Sequence, residues 1–315
     1  MILVTGAAGY IGSHICNKLY EKKIDFFSID NLSGGRIENI VHKKKFKKID
    51  YSSKKILKLL IEKKINMIIH AAAYTFPNES EINKKKYFLN NISKNIKFID
   101  YCYKLKIKNF IFFSTSNVYS FGSKKIKPIN EKGKIKPKNY YGYTKFFIEN
   151  YIQKKNLFPN LAILRVFNIA GFTKNFKFVE FKTRFRRIMP TLATAIKNEK
   201  TLNIYGTYEN KIFKYSVRDY LHIEDFTDLI IKFIKYKKNK GIYNVGLGKC
   251  YSLKEIINTF QAEMNIKIKY TMKRLRKGEL GYTLCQNTKV KKKFNWKPKK
   301  KLINIVKSTI KWGNI

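Results

Sequence analysis

The stretch Ile2-Leu3-Val4-Thr5-Gly6-Ala7-Ala8-Gly9-Tyr10-Ile11-Gly12-Ser13-His14 decides the fold. A short apolar run of strand character leads into three glycines at GxxGxxG spacing, Gly6, Gly9 and Gly12, and an amphipathic stretch follows. Glycine lets the main chain approach a pyrophosphate, and the N-terminus of the helix that follows offers free N–H groups and the positive end of its dipole. Glycines mark many turns, so the strand before and the helix after give this one its meaning. Asp30 closes the second strand 18 residues after Gly12. An acid there can bind both adenosine ribose hydroxyls and repels a 2′-phosphate, which points to NAD rather than NADP. A solvated turn aspartate before Asn31 is the competing account. Asp50 either faces the adenine amine or caps a helix near Ser52.

Outward from this turn, runs rich in Ile, Val and Phe alternate with amphipathic segments. Strands are expected at 2–5, 25–29, 67–70, 109–114 and 161–167, with helices near 11–22, 54–63, 84–105 and 141–154. That alternation predicts an α/β fold: a Rossmann-like, doubly wound parallel sheet with ligands at the carboxyl ends of its strands. The second half is less regular. A basic helix at about 187–197, a strand at 202–205, a helix at 224–236 and a strand at 242–245 are expected there. A helix capped by Ser252 and Glu255 and a last one ending near Trp312 follow. The division expected is 1–167 for the dinucleotide and 168–315 for a smaller, substrate-binding α/β part, some segments of which return to the first sheet.

The chain has 315 residues, enough for a sizeable core, which excludes a disulfide miniprotein and a disordered chain. With 67 Lys+Arg against 21 Asp+Glu the formal charge is +46, which raises a polyanion as partner. Yet only eight of the basic residues are Arg, and the lysines run from end to end beside abundant Ile, Asn, Phe and Tyr. A phosphate-gripping surface favours the bidentate fork of Arg, so drift toward A- and T-rich codons is the better account, and no specific nucleic acid is expected. Cys16, Cys102, Cys250 and Cys285 lie far apart, without a CxxC pair, and neither they nor the four histidines have metal-ligand spacing. Met1 leads straight into a strand, and no apolar run approaches the roughly 20 residues of a membrane helix. A soluble, cytoplasmic protein with reduced thiols is expected.

A second constellation is Tyr141-Gly142-Tyr143-Thr144-Lys145, with Thr115 upstream at a strand end. Four residues apart on a helix, Tyr141 and Lys145 share a face, where an ammonium lowers a phenol pKa from about 10. Such a phenolate can take a proton from an alcohol as hydride leaves for nicotinamide. YxxxK alone carries little weight in a chain so rich in Tyr and Lys; joined to the glycine turn and Thr115 it becomes the favoured reading.

With these motifs in place, the chain resembles the extended short-chain dehydrogenases/reductases, and within them the UDP-hexose 4-epimerases, nearly end to end. Further carriers of the likeness are His70-Ala71-Ala72-Ala73, Asn91, Ser114-Thr115-Ser116-Asn117-Val118-Tyr119, Leu164-Arg165-Val166-Phe167-Asn168, Val217-Arg218-Asp219-Tyr220-Leu221-His222 and Gly241-Ile242-Tyr243-Asn244-Val245-Gly246. The resemblance implies interconversion of UDP-galactose and UDP-glucose on NAD. Hydride passes from carbon 4 to the cofactor, the 4-keto sugar swings about its phosphate link, and hydride returns to the opposite face. Tyr141 is then the base, Lys145 binds the nicotinamide ribose and depresses the tyrosine pKa, and Thr115 bonds oxygen 4. Gly6, Gly9, Tyr10, Ile11, Gly12, Asp30, Asn31, Asp50, Ala71, Ala72, Ala73, Asn91 and Phe167 join Tyr141 and Lys145 around the cofactor. Asn168, Arg218, Arg276 and Glu279 join Thr115 around the substrate, although a solvated charge run accounts locally for Arg276 equally well. No metal is implied, and a homodimer built on helices such as 84–105 and 141–154 is.

Related 4,6-dehydratases carry an Asp-Glu pair directly after the active-site Thr, where this chain has Ser116 and Asn117, and UDP-glucuronate decarboxylases usually place Glu at the position of Asn117. The stretch from Gly206 to Arg218 resembles the long loop of hexose epimerases. Thr75 stands at a frequent Lys position, Val166 at a common Tyr, and Arg187 at a usual Asn, departures that bear on affinity more than on chemistry. Thr283 aligns with the family's pocket gate, and its small side chain suggests that N-acetylhexosamine nucleotides also enter. The rivals are another nucleotide-sugar 4-epimerase acting on UDP-N-acetylglucosamine or UDP-glucuronate, a 4,6-dehydratase and, from a different class, a non-catalytic polyanion-binding protein. His14, His70, His222, Trp296 and Trp312 read as packing or hydrogen-bonding residues.

Overall fold

The structure is a computed structural model that describes residues 1–121, 126–173, 178–179, 187–209, 212–236 and 240–314. In its first half β1 (Ile2–Thr5), α1 (Tyr10–Glu21), β2 (Phe26–Asp30), β3 (Phe46–Lys48), α2 (Lys55–Glu62), β4 (Met67–His70), α3 (Pro77–Ile82), α4 (Lys84–Phe88), α5 (Lys94–Lys104), β5 (Asn109–Thr115), α6 (Tyr140–Lys154) and β6 (Asn160–Val166) follow in turn. The second half contributes β7 (Asn168–Ala170), α7 (Ile188–Lys197), β8 (Leu202–Glu209), β9 (Ile212–Tyr215), β10 (Val217–His222), α8 (Ile223–Lys235) and β11 (Gly241–Val245). It ends with β12 (Cys250–Ser252), α9 (Leu253–Met264), β13 (Tyr270–Arg274), α10 (Thr288–Phe294) and α11 (Leu302–Gly313).

Seven parallel strands in the order β11-β6-β5-β4-β1-β2-β3 make the main sheet. Both faces are buried, and alternate residues serve opposite layers. Ile2 and Val4 of β1, Ile69 of β4 and Phe113 of β5 join one core with residues of α1 and α8. Leu3, Ile68 and Phe112 join the other, with residues of α2, α5 and α6. β11 carries the second half back into this sheet beside β6. Two three-stranded sheets, β12-β10-β7 and β13-β8-β9, and a separate core that includes residues of α7, α9 and α11 form the rest.

Several expectations change in detail. The single helix expected over 84–105 is α4 and α5 joined by a π turn, Leu89–Ser93. There the Asn90 carbonyl accepts bonds from the Tyr51 hydroxyl (2.7 Å) and the Asn95 amide (3.1 Å), competitors that favour a break in the regular ladder. The stretch from Gly206 to Arg218, whose residues 210–211 lie outside the described ones, is largely the β8–β9 hairpin, with Gly206 opposite Tyr215. The helix at 188–197 is amphipathic and carries Lys only in its last turn, so it is less basic than expected.

Candidate active site

The order of the main sheet reverses between β1 and β4, and ligands of such sheets lie at that switch point. The main chain there is too close for side chains. A Cβ on Gly12 would fall 2.1 Å from the Gly6 carbonyl oxygen, and one on Gly6, which has φ +70°, 2.7 Å from Ala72 Cα. Helix α1 starts at Tyr10 without a side-chain cap and without an acid in its first turn, leaving its dipole end for an anion. Asp30, the last residue of β2, accepts the N–H groups of Ala8 (3.0 Å) and Leu32 (2.7 Å). Burial raises its pKa, against these bonds. Asp50 accepts from Asn31 (2.8 Å), Lys94 (2.5 Å) and the Ser52 N–H (2.9 Å). Burial pushes its pKa up, but the bonds outweigh it and hold the carboxyl at about 2. The tight glycine turn, the anion-ready helix end and the acid at the end of β2 fit NAD.

Behind the carboxyl end of β5 the start of α6 is pinned. Asn139 caps it by accepting the Gly142 N–H at 2.8 Å, the Ser80 hydroxyl accepts the Tyr141 N–H at 2.9 Å, and Glu81 accepts the Tyr140 N–H at 2.7 Å. A Cβ on Gly142 would lie 2.4 Å from the Asn117 carbonyl oxygen, so only glycine lets the helix approach this closely. Tyr141 and Lys145 are thereby set beside Thr115, all three buried. Burial pushes the Tyr141 phenol up to about 12, while a hydrogen bond with Thr115 and the Arg187 charge act downward. Burial pulls the Lys145 ammonium down to about 7, against the pull of Glu149.

These groups open into a cavity of about 830 Å³ that runs from Tyr10, Ile11, Ala71 and Ala73 past Thr115, Tyr141, Lys145, Phe167 and Asn168 to Arg218, Arg276 and Glu279. The volume lies in the range of small-molecule sites. Of the described residues that line it, five are Lys or Arg (Lys145, Arg187, Lys200, Arg218, Arg276) and only Glu279 carries a carboxylate. Arg218 is held by the carbonyls of Val217 (3.0 Å), Gly281 (3.0 Å) and Leu280. Arg276, at the exposed rim, pairs with Glu279 and lies 4.3 Å from the centroid of the Tyr205 ring.

Other residues of the sequence reading lie off this wall. Asn91 is buried and ties down Tyr74, whose N–H (3.0 Å) and carbonyl (2.9 Å) its carboxamide meets. Ala72 stands against Gly6 in the crevice. Thr283 is buried beside Asn168, which lines the cavity: its N–H donates to the Val217 carbonyl at 2.9 Å, and its hydroxyl accepts from the Asn168 amide at 3.4 Å. His70 is fixed between Thr5 and Asn95, both at 2.7 Å, and His222 caps α8 by accepting the Glu224 N–H. Sequence reasoning missed Glu149, although its spacing of four from Lys145 puts it on the same helical face. Its carboxylate is fully buried, 2.7 Å from Arg165 Nη2, and accepts the Ser114 hydroxyl.

The sheet order and this site define a Rossmann enzyme that works with a nicotinamide dinucleotide. The pattern of the NAD dependent epimerase/dehydratase family matches residues 2–246, and the chain belongs to that family. It is 31% identical over 319 residues to the UDP-glucose 4-epimerase of Lactobacillus helveticus, spanning 99% of this chain and 96% of that protein. With the UDP-glucose 4-epimerase of Schizosaccharomyces pombe (strain 972) it shares 28% over 330 residues, 99% of this chain and 93% of that one. The crystal structure of UDP-glucose 4-epimerase from Bifidobacterium longum in complex with NAD+ and UDP superposes with a TM-score of 0.90 at 25% identity, over 99% of this chain and 98% of the other.

Proposed function

We infer that the chain is an isomerase, a UDP-hexose 4-epimerase that interconverts UDP-galactose and UDP-glucose with NAD as its resident cofactor. The carrying observation is the group beside β5: Tyr141 bonded to Thr115, Lys145 on the same helical face, and an amide where an eliminating enzyme needs an acid. Asn117 donates its amide N–H to the Thr115 hydroxyl at 3.0 Å and accepts from Asn139 at 3.0 Å. The only carboxylate among the described lining residues is paired with Arg276, so loss of water has no free carboxyl acid or base among them.

In this reading Thr115 and Tyr141 grip the sugar 4-oxygen, and Tyr141 takes its proton and later returns it. Lys145 and Asp30 hold the two ribose ends of the dinucleotide, with Tyr10, Ile11 and the glycines of the first turn around its diphosphate. NAD, when bound, supplies a reversible acceptor for the carbon 4 hydride and adds positive charge beside the phenol. Arg218 and Arg276, with Asn168, hold the nucleotide diphosphate end, where fixed guanidinium groups suit phosphate oxygens. Residues 1–167 serve mainly the dinucleotide and 168–315 mainly the sugar nucleotide. A homodimer and a cytoplasmic setting complete the proposal. Exposed Phe88, Leu89, Tyr143 and Phe147 on α4 to α6 and the turn between them support the first. Four free thiols support the second, together with the lack, among the described residues, of a helix long and apolar enough to cross a membrane.

Incubating the purified protein with UDP-galactose and no added cofactor tests the function. UDP-glucose is expected, and Tyr141→Phe should reduce its formation by roughly 10²- to 10⁴-fold, the usual worth of a general base. A 4-keto-6-deoxy product, or no product from any UDP-sugar, overturns the reading.

A further inference from the structure

Arg187, whose charge draws the Tyr141 phenol down, holds an unusual position. It precedes α7 in the second half of the chain, while its guanidinium lies 5.1 Å from the centroid of the Tyr10 ring and 5.6 Å from that of Phe76. Tyr10 is the first residue of α1 and Phe76 stands just before α3. The two rings therefore belong to the turn after β1 and the loop after β4, the two walls of the crevice at the switch point. Arg187 reaches both, and it lines the same cavity as Ile11 and Thr75.

The walls it touches are themselves fixed. The Tyr10 hydroxyl donates to the Gly171 carbonyl at 2.5 Å, and its ring meets those of Phe172 and Phe178 edge-on. A planar guanidinium held against two rings keeps its orientation with little entropy left to lose. Its charge reaches from α1 to α6, since it helps to lower the pKa of His14 on the first and of Tyr141 on the second.

We propose that Arg187 is a strap across the dinucleotide crevice, which holds the diphosphate of NAD against the start of α1 and so keeps the cofactor resident. This rests on the reading of NAD as the resident group. The first turn of α1 offers N–H groups and a dipole end but no cationic side chain, and the neighbouring Thr75 is uncharged; Arg187 supplies the missing charge from the other half of the chain. One charge-assisted contact to a phosphate oxygen corresponds to roughly a ten- to hundredfold change in retention.

The experiment follows NAD leaving the purified holoenzyme, with an excess of an unrelated dehydrogenase and its substrate converting each released NAD to NADH, read at 340 nm. Arg187→Gln is expected to release NAD roughly ten- to hundredfold faster than wild type, and Arg187→Lys, which keeps the charge without the planar stack, to fall between them. The gap between wild type and Arg187→Gln should narrow as salt rises. Thermal unfolding of each variant checks that the fold is kept, and the Lys variant carries the test if the Gln variant does not fold. Equal release from all three overturns the strap. So does an unchanged release with a loss of UDP affinity in calorimetry, which assigns the charge to the substrate. A wild-type chain that neither holds nor binds NAD overturns the cofactor reading itself, and the strap with it.

Discussion

Replacing Glu149 by Gln probes the ionic cluster that backs the catalytic face of α6. Glu149 is 0% and Arg165 3% exposed. Arg165 Nη2 is 2.7 Å from Glu149 Oε2 and its Nε 3.1 Å from both carboxylate oxygens, while its Nη1 donates to the Tyr119 hydroxyl at 2.9 Å and the Glu131 carbonyl at 3.1 Å. Removing one charge of such a pair leaves the other buried without compensation, which costs about 3–5 kcal/mol. With an unfolding entropy of about 2.1 cal/mol/K per residue over 315 residues, or ~0.66 kcal/mol/K, the expected fall in Tm is roughly 5–8 °C. Calorimetry or circular dichroism of the holoprotein reads this directly. Arg165→Met should cost a comparable amount, and Glu149→Met with Arg165→Met less than the sum of the single changes, because neither member of the pair is then left facing an empty place. A fall below about 1 °C for Glu149→Gln, or strict additivity of the pair, would refute the reasoning.

Two further predictions follow from burial and exposure. In the folded, cofactor-free chain Lys145 titrates at about 7 against an ordinary 10.5, so between these pH values the unfolded chain binds a proton that the folded one does not. Stability should rise as pH climbs from 7 to 10.5 and lose this contribution as pH falls back through that window; Lys145→Met should flatten the slope in urea titrations at pH 7.5 and 9.5, and an unchanged slope would reject the assignment. Light scattering should give twice the 37.3 kDa chain mass, and a charge at Phe147 or Leu89, as in Phe147→Glu, should halve it; a monomeric wild type would reject the dimer.

Elements with local signals were legible in the sequence. β1, β4 and β11 lie where apolar runs put them, and α1 and α6 start within a residue of their expected positions, because a glycine turn and an Asn cap act over three or four residues. Strands β3, β7 and β12 have three residues each and carry too little pattern to be read. β3 is Phe-Lys-Lys at the sheet edge, where lysine is tolerated and alternation disappears. Helix α3 was missed although Pro77 stands in its first turn, since six residues give no periodicity to count. The same limit applied to the site. Tyr141 and Lys145 were singled out by their spacing and Thr115 by its place at a strand end, whereas Arg187 meets Tyr10 and Phe76 from more than a hundred positions away, and nothing in a linear pattern brings those three together.

The sequence by itself determined the alternation of strands and helices, the glycine turn, and the kinds of side chain at the strand ends, because these rest on local geometry with periods of two and 3.6 residues. Only the tertiary structure decided how those groups behave. In it the phenol of Tyr141 is pushed up by burial and drawn back by Thr115 and Arg187. It turned Thr283 toward Asn168 and set the charge of Glu149 behind Lys145. Desolvation and through-space charge depend on what surrounds a group in three dimensions, and that information is distributed over the whole chain rather than held in any one stretch of it.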